Sequence, residues 1–259
     1  MDVLSVLFRW IHILAGIIWI GMLYFFNWVN APLQGTFDGE TKKKVNPEML
    51  PRALWWFRWG AAWTWVTGVL LLLLVFYHGG IMFLPERGWS AAAAVMIAVT
   101  FLAVFVYDAL HKSALGKDPK VFGTVGFVLA TLVIYLMAGW AGFSYRAASI
   151  HLATLFGSIM AFNVWYRIWP AQQKIITAVK EGTAPDAALV ALAGTRSRHN
   201  TYLSAALVWG MINSHTTYLA GGNLGITEGT AFLVYPVVTL VSWHVIWQLY
   251  KRAPKVKGF

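Results

Sequence analysis

Seven long apolar stretches restrict what this chain can fold into more than any other feature of its sequence. Each is long enough to cross roughly 30 Å of hydrocarbon at about 1.5 Å of helical rise per residue. Helices are the expected spanning form, because a barrel would need alternating strands of about ten residues. The sequence therefore predicts an all-α integral membrane protein, a seven-helix transmembrane bundle forming a single domain over residues 1–259, with spans at about 4–29, 55–77, 90–110, 121–143, 149–169, 200–219 and 230–250.

Composition supports this fold class and excludes several kinds of site. Hydrophobic residues make up 59% of the chain and charged residues 12%, about half the charged share of a typical soluble protein. The formal net charge of +10 does not indicate a nucleic-acid partner, because apolar chains place Lys and Arg in cytoplasmic loops. The chain has no cysteine, which excludes disulfides, thiolate metal sites, iron–sulfur clusters and covalently attached c-type haem.

The basic residues between the spans predict the orientation in the bilayer. Lys and Arg concentrate in the first, third and fifth connections and in the C-terminal tail, whereas the second and fourth connections carry only Arg87 and Arg146. By the positive-inside rule, the N-terminus lies outside and the C-terminus lies in the cytoplasm. Most connections are short, as in a bundle of antiparallel neighbours. The exception is the cytoplasmic connector 170–199, which is either a plain connector or a docking element at the interface.

Histidines are the main candidates for functional residues. His12 lies inside the first span, where an ionisable group is costly, and shares a helix face with Gly16. A neighbour without a side chain would let the imidazole face something broad and flat, and haem is the obvious candidate. The predicted depth divides the histidines into an outer group, His12, His78, His151 and His215, and an inner group, His111, His199 and His244.

Two interpretations of these groups stay open. Four outer histidines on four spans, with no cysteine and few intramembrane carboxylates, favour bis-imidazole ligation of haem b, with His151 as the first candidate opposite His12. The inner group would complete a second haem and give electrons a route across the membrane. Alternatively, the histidines at span ends are interfacial or capping residues, and those inside the hydrocarbon bond a neighbouring helix or transfer protons.

Arginines near the predicted span ends form a second set of candidates. Arg9 and Arg146 are expected near the outer surface, and Arg58 just inside the inner end of the second span. Each could pair with a haem propionate or an anionic substrate, or reach lipid phosphate. Two polar residues, Asp108 and Asn163, are expected inside the membrane and need partners. The tryptophans gather toward the span ends, which is typical of an aromatic belt.

Five motifs in this order resemble a known family. They are Arg9-Trp10-x-His12-x-x-x-Gly16-x-x-Trp19-x-Gly21, Trp55-Trp56-Phe57-Arg58-Trp59-Gly60, Arg146-Ala147-Ala148-x-Ile150-His151, Asn163-Val164-Trp165 through Ile168-Trp169-Pro170, and Arg196-Ser197-Arg198-His199-Asn200-x-Tyr202. Together they cover nearly the whole chain, which resembles the membrane domain of the bacterial membrane-bound urate oxidases, also called urate hydroxylases.

The resemblance implies a redox domain of the bacterial inner membrane that passes electrons to a c-type cytochrome. The functional positions that it carries over are His12, His151, His199 and His215, with Arg9, Arg58 and Asn163 as associated polar positions. Such enzymes continue into a further span and a fused cytochrome c domain, whereas this chain ends at Phe259 without a CxxCH motif, so the cytochrome is expected on another chain. The segment 213–217 differs from the family pattern, so the resemblance supports the redox role better than it supports urate as the substrate.

The sequence therefore predicts a haem b protein with one or two haems. It would pass electrons between a small reductant or quinol and a separate c-type cytochrome, alone or together with other membrane subunits in a respiratory complex. The competing prediction is a non-redox transporter or assembly subunit that uses its histidines for proton transfer or packing.

Overall fold

The computed structural model describes residues 2–213, 215, 218, 225–227 and 229–258, and 84% of the structure is helical. None of the described residues forms a strand, so the predicted all-α class is confirmed. The α-helices of this part of the chain are α1 (Asp2–Tyr24), α2 (Ala31–Gln34), α3 (Gly39–Leu71), α4 (Ala91–Lys112), α5 (Pro119–Gly139), α6 (Tyr145–Phe162), α7 (Trp169–Glu181), α8 (Ala187–Asn213) and α9 (Val234–Arg252).

Long apolar helical segments confirm a protein that passes through the membrane several times. Within the described residues, six segments are long and apolar enough to span a bilayer: Val3–Gln34, Gly39–Tyr77, Ala91–Lys112, Pro119–Gly139, Tyr145–Glu181 and Ala231–Lys255. They correspond to six of the seven predicted spans. The remaining prediction, about 200–219, falls on α8 and continues past it into residues that are mostly outside the described part. The orientation in the membrane stays a prediction.

Two helices begin well before the apolar stretches that predicted them. α3 begins at Gly39, where the Asp38 carboxylate accepts a hydrogen bond from the Thr41 backbone N–H at 2.7 Å and caps the helix. This bond lowers the pKa of the Asp38 carboxyl. α8 begins at Ala187, next to Asp186, whose carboxylate accepts from the Ala188 N–H at 2.7 Å. Hydropathy misses the start of α3 because its first turns lie in polar sequence, and it separates the alanine-rich first turns of α8 from the predicted span because the polar residues 195–200 lie between them.

Most of the predicted cytoplasmic connector is therefore helical. α7 occupies its first part and ends at Gly182, which has a φ of 75° and so adopts a left-handed conformation that suits glycine. The chain then turns and enters α8 within a few residues. Whether this segment docks another molecule stays a prediction.

Three π-helical turns interrupt or end the long helices in the described part of the chain. They are Phe25–Asn30 between α1 and α2, Leu72–Tyr77 at the end of α3, and Asn163–Ile168 between α6 and α7. Each contains a polar side chain that bonds another helix: Asn27, Tyr77 and Asn163. Such turns are frequent at functional sites.

The chain divides into two compact units made of alternating segments. Unit 1 comprises Met1–Val69, Met160–Ser204 and Trp243–Phe259, and unit 2 comprises Leu70–Ile159 and Ala205–Ser242. That they act as a single transmembrane domain stays a prediction.

In unit 1, α1 and α3 pack closely through Gly60. A Cβ atom at this position would lie 3.1 Å from the Trp19 backbone nitrogen and 3.2 Å from the Ala15 carbonyl oxygen. Small residues of this kind let helix backbones approach each other where lipid offers no hydrophobic driving force. Beyond this crossing, the side-chain amides of Gln34 and Asn46 donate to each other at 2.8 and 2.9 Å and join α2 to α3.

In unit 2, the loop after α3 is tied to the start of α6. The Leu84 N–H donates to the Gly142 carbonyl at 3.0 Å, and the Ser144 hydroxyl donates to the Ile81 carbonyl at 3.0 Å. The Ser144 oxygen also accepts from the Ala147 N–H at 3.2 Å, which caps α6. These bonds position the first turns of α6, where His151 lies.

We expect single cysteines introduced by substitution to report the orientation of the chain in the membrane, because the natural chain has no cysteine. Gly88 and Lys117 are both exposed, and the positive-inside rule places Gly88 outside and Lys117 inside. In intact cells, a membrane-impermeant maleimide should label Gly88→Cys and leave Lys117→Cys unlabelled until the cells are lysed. The reverse pattern would invert the predicted topology.

Candidate functional site

His12 in unit 1 is half-buried on α1 and bonded to α3. Its Nδ1 lies 3.2 Å from the Thr67 hydroxyl oxygen. Because Thr67 donates its own hydroxyl proton to the Trp63 carbonyl at 2.6 Å, it must accept from the imidazole. His12 therefore carries its proton on Nδ1, which leaves Nε2 unprotonated. This is the bond to a neighbouring helix that the packing interpretation predicts, and it also leaves one nitrogen capable of binding a metal.

The glycine that faces the His12 ring is Gly68 of α3. A Cβ atom at Gly68 would lie 3.0 Å from Cε1 and 3.4 Å from Nδ1 of the imidazole. Gly16 faces Thr64 instead, at an ordinary contact distance of 3.8 Å for a Cβ. The sequence led to Gly16 because it shares a helix face with His12, whereas the close neighbour comes from the opposite helix.

His151 in unit 2 is fully buried, and both of its ring nitrogens are hydrogen-bonded. Nδ1 donates to the Ala147 carbonyl one turn earlier at 2.7 Å, so Nε2 accepts from the Tyr77 hydroxyl at 2.9 Å. The Tyr77 ring also stacks on the imidazole, with centroids 5.6 Å apart and an interplanar angle of 28°. Phe143 lies against the same ring at 5.0 Å. His151 is thus held in one orientation and one tautomer.

Nothing in the sequence singles out Tyr77. A tyrosine at the end of an apolar stretch looks like a member of the aromatic belt. The π-helical turn at the end of α3 aims it at His151, and hydropathy carries no signal for such a turn.

The other candidate histidines occupy varied surroundings. His78, His215 and His244 are exposed, and His111 and His199 are half-buried. His244 lies 3.2 Å from the side-chain nitrogen of Gln248 one turn along α9, so its bond is within its own helix. Unit 1 contains His12, His199 and His244, and unit 2 contains His78, His111, His151 and His215.

Both predicted groups of histidines therefore have members in both units. Among the described residues, no three His, Asp or Glu side chains form a group that could hold a metal ion. Haem ligation needs only two protein ligands, so the haem prediction is not tested by that result.

The candidate arginines also differ in their surroundings. Arg9 is exposed on α1, and Arg146 is half-buried in the first turn of α6. The Arg58 guanidinium carbon lies 3.9 Å from the Trp169 ring centroid and 5.7 Å from that of Trp165. Arg58 is therefore positioned by aromatic rings, an arrangement that favours a cation through the negative face of the ring.

A buried polar network in unit 1 joins the end of α6 and the π-helical turn that follows it to α8. Arg196 Nη1 donates to the Asn163 carboxamide oxygen at 3.3 Å, and Asn163 Nδ2 donates to the Asn200 carboxamide oxygen at 2.8 Å. Asn200 Nδ2 in turn donates to the Met160 carbonyl at 3.0 Å. Arg196 is 1% exposed and both asparagines are fully buried. The sequence predicted that Asn163 needs a partner, but it placed Arg196 in a connector.

A second network in unit 1 centres on Asn27 in the first π-helical turn. Its carboxamide oxygen accepts from the Tyr250 hydroxyl at 2.7 Å, and its Nδ2 donates to the Ser197 hydroxyl at 2.8 Å. These bonds connect α1 with α8 and α9. In unit 2, the Asp108 carboxylate forms an ion pair with the Lys112 ammonium group one turn along α4, at 2.7 Å. Asp108 thus has the partner that a carboxylate predicted to lie inside the membrane needs.

A family model described as "Urate oxidase N-terminal" matches residues 1–246, a range that contains all the candidate residues above. The comparisons with curated proteins and with solved structures gave no significant match.

The Gly68 contact generates a matched pair of substitutions. Gly68→Ala pushes a methyl group against the His12 ring, so it should lower the free energy of unfolding by about 1–3 kcal/mol. Gly16→Ala has room for its methyl group and should be close to neutral. Thermal unfolding in lipid nanodiscs measures both. Equal stability of the two variants would contradict the close contact at Gly68.

The Arg196–Asn163–Asn200 network can be tested with a second matched pair of substitutions. Asn163→Leu takes away an acceptor of Arg196 and the donor to Asn200, and an unsatisfied buried polar group costs about 1–3 kcal/mol. We expect a loss of about 2 kcal/mol or more in the same unfolding assay. Gln173→Leu on α7, where the side chain is exposed, is the control and should change stability by less than about 0.5 kcal/mol. Similar losses in both variants would show that the network does not stabilise the fold.

Proposed function

The chain belongs to the urate oxidase N-terminal family, and on that premise we propose that it is a haem b-containing redox domain of a bacterial inner membrane. It passes electrons between a small reductant or quinol and a c-type cytochrome. It does so alone or with other membrane subunits in a respiratory complex. Family membership and the membrane-spanning helices support a membrane redox domain, and the haem is a further step that rests on the histidines.

One observation carries the haem proposal: His12 and His151 both hold their proton on Nδ1 and direct an Nε2 lone pair away from that bond. A histidine that ligates a metal almost always donates its other N–H to a carbonyl or a side-chain acceptor, which fixes the ring and raises its basicity. The Ala147 carbonyl serves His151 in this way, and the Thr67 hydroxyl serves His12. The chemistry of these donors therefore fits haem b.

When bound, haem b supplies one-electron transfer through its iron. His12 and His151 are the first candidates to hold it through Nε2, and His78 and His215 complete the predicted outer group. Arg9 and Arg146 offset the negative charge of the propionates. A second haem b would use the inner group, His111, His199 and His244.

The bond between Tyr77 and His151 sets a condition on this proposal. The Tyr77 hydroxyl lies 2.9 Å from His151 Nε2, so it must turn away before that nitrogen can ligate iron. No such rearrangement is needed for the bond between His12 and Thr67, which uses the opposite ring nitrogen. Of the two histidines, His12 is therefore the one to test first.

The same bonds favour a second candidate function, a non-redox transporter or assembly subunit. In that case the partners of His12 and His151 simply satisfy buried imidazoles and hold helices together. The haem content of the protein separates the two functions.

We expect the purified protein to show a Soret band and a dithionite-induced α band typical of b haems. His12→Ala should remove the haem that it ligates, measured as pyridine haemochrome per protein. Thr67→Val is the matched control because it keeps the imidazole and removes only its acceptor. It should retain haem and shift the reduction potential to a more positive value, since the ligand becomes less basic.

Two outcomes would contradict this proposal. Absence of haem from the natural protein refutes the redox role through haem b and favours the second function. If the haem content of His12→Ala is unchanged, His12 is a packing residue and does not ligate the haem. The haem content of His151→Ala is then the measurement that tests the proposal.

A further inference from the structure

Arg58 is held on α3 by two tryptophans of a neighbouring segment. Its guanidinium stacks on Trp169 at 3.9 Å, and its backbone carbonyl accepts from the Trp165 indole N–H at 3.0 Å. These contacts fix the side chain with one face of the guanidinium covered by a ring. A stacked guanidinium keeps its N–H groups in the plane of its edge, where they can donate to an anion.

No carboxylate in the described part of the chain neutralises Arg58. The ion pairs found there join Arg52 to Glu48 and Lys112 to Asp108. The Arg58 Nε–H is buried and bonds no described residue. Stacking on a ring offsets part of the charge but leaves the Nε–H without an acceptor among the described residues. Arg58 is therefore a cation whose position is fixed by aromatic rings and whose charge no described carboxylate neutralises.

The surface next to Arg58 is built from exposed tryptophans. Trp55 is 44% exposed, Trp56 is 54% exposed and Trp59 is 39% exposed. Further along the same face of α3, Trp63 is 54% exposed and lies four residues after Trp59, and Val66 is 41% exposed and lies three residues after Trp63. Indole rings favour the headgroup level of a bilayer, and the apolar continuation toward Val66 favours acyl chains.

We propose that Arg58 and the tryptophans around it bind an anionic phospholipid, of the phosphatidylglycerol type, in the leaflet at the level of Arg58, which lies midway along α3 and near the start of the apolar stretch 55–77. The guanidinium edge donates to the headgroup phosphate, and an acyl chain lies along Trp59, Trp63 and Val66. Of the anions that the sequence leaves open for Arg58, the lipid phosphate is favoured because the surrounding rings lie on the lipid-facing surface of a spanning helix. This site goes beyond the haem proposal and does not depend on it.

The charge of the headgroup should decide which lipid binds. A zwitterionic lipid neutralises its own phosphate with an ammonium group, whereas an anionic lipid presents a net negative charge to Arg58. One Arg near an anionic surface strengthens attraction by a factor of about five. The natural protein should therefore prefer phosphatidylglycerol to phosphatidylethanolamine at this site by about fivefold.

The test uses the full chain in nanodiscs that contain equal amounts of the two lipids. Native mass spectrometry counts the lipids retained, and quenching of tryptophan fluorescence by brominated phosphatidylglycerol or brominated phosphatidylethanolamine reports contact at the rings. Arg58→Gln should lose the preference for phosphatidylglycerol. Arg52→Gln is the matched control, since Arg52 lies on the same helix, is exposed and is paired with Glu48. It should keep the preference.

Arg58→Lys keeps a positive charge and should retain part of the preference, which guards against a failure of Arg58→Gln to fold. Equal retention of the two lipids by the natural protein overturns the proposal, as does an unchanged preference in Arg58→Gln. A third outcome also overturns it: a loss of haem in Arg58→Gln with lipid retention unchanged, which would assign the guanidinium to a propionate. Absence of haem from every variant would leave the lipid result intact and count only against the redox function.

Discussion

A polar side chain inside hydrocarbon has to find its hydrogen-bond partner within the protein, and the described structure depends on this constraint. His12 bonds Thr67, His151 bonds Tyr77, and Asn163 bonds Asn200, in each case from one helix to another. Lipid gives helices no hydrophobic reason to associate, so such bonds and the small residues beside them determine which faces meet. The bond that satisfies a polar group therefore also sets the register of two helices.

The π-helical turns show how the chain brings these groups into reach. A π-helical turn replaces backbone hydrogen bonds between residues four apart with bonds between residues five apart, and so changes the direction of the side chains that follow. Asn27, Tyr77 and Asn163 all lie in such turns, and each bonds a side chain on another helix. Local irregularity and buried polarity are thus two parts of one arrangement.

The sequence predicted the apolar spans and the need of Asn163 for a partner, because each follows from residue type and depth alone. It did not predict that α3 begins at Gly39 or that α8 runs unbroken through the polar residues 195–200, because hydropathy records the change from polar to apolar residues and not the continuity of a helix through it. Arg196 was placed in a connector for the same reason, although it is buried in unit 1. Tyr77 and Gly68 were overlooked as partners of the histidines, because both contacts come from another helix.

Packing and haem ligation are not opposed uses of these histidines. The Nδ1–H bond that satisfies a buried imidazole is also the bond that orients an imidazole for a metal, so one contact serves both. The distinction lies at Nε2, where His151 already accepts from Tyr77. A net hydrogen bond is worth about 1 kcal/mol, and a buried hydroxyl left without a partner costs about 1–3 kcal/mol. Ligation through His151 Nε2 costs about that sum, and the cost falls if the freed hydroxyl of the half-buried Tyr77 reaches water or another acceptor, so the surroundings of Tyr77 bear on ligation as well as those of His151.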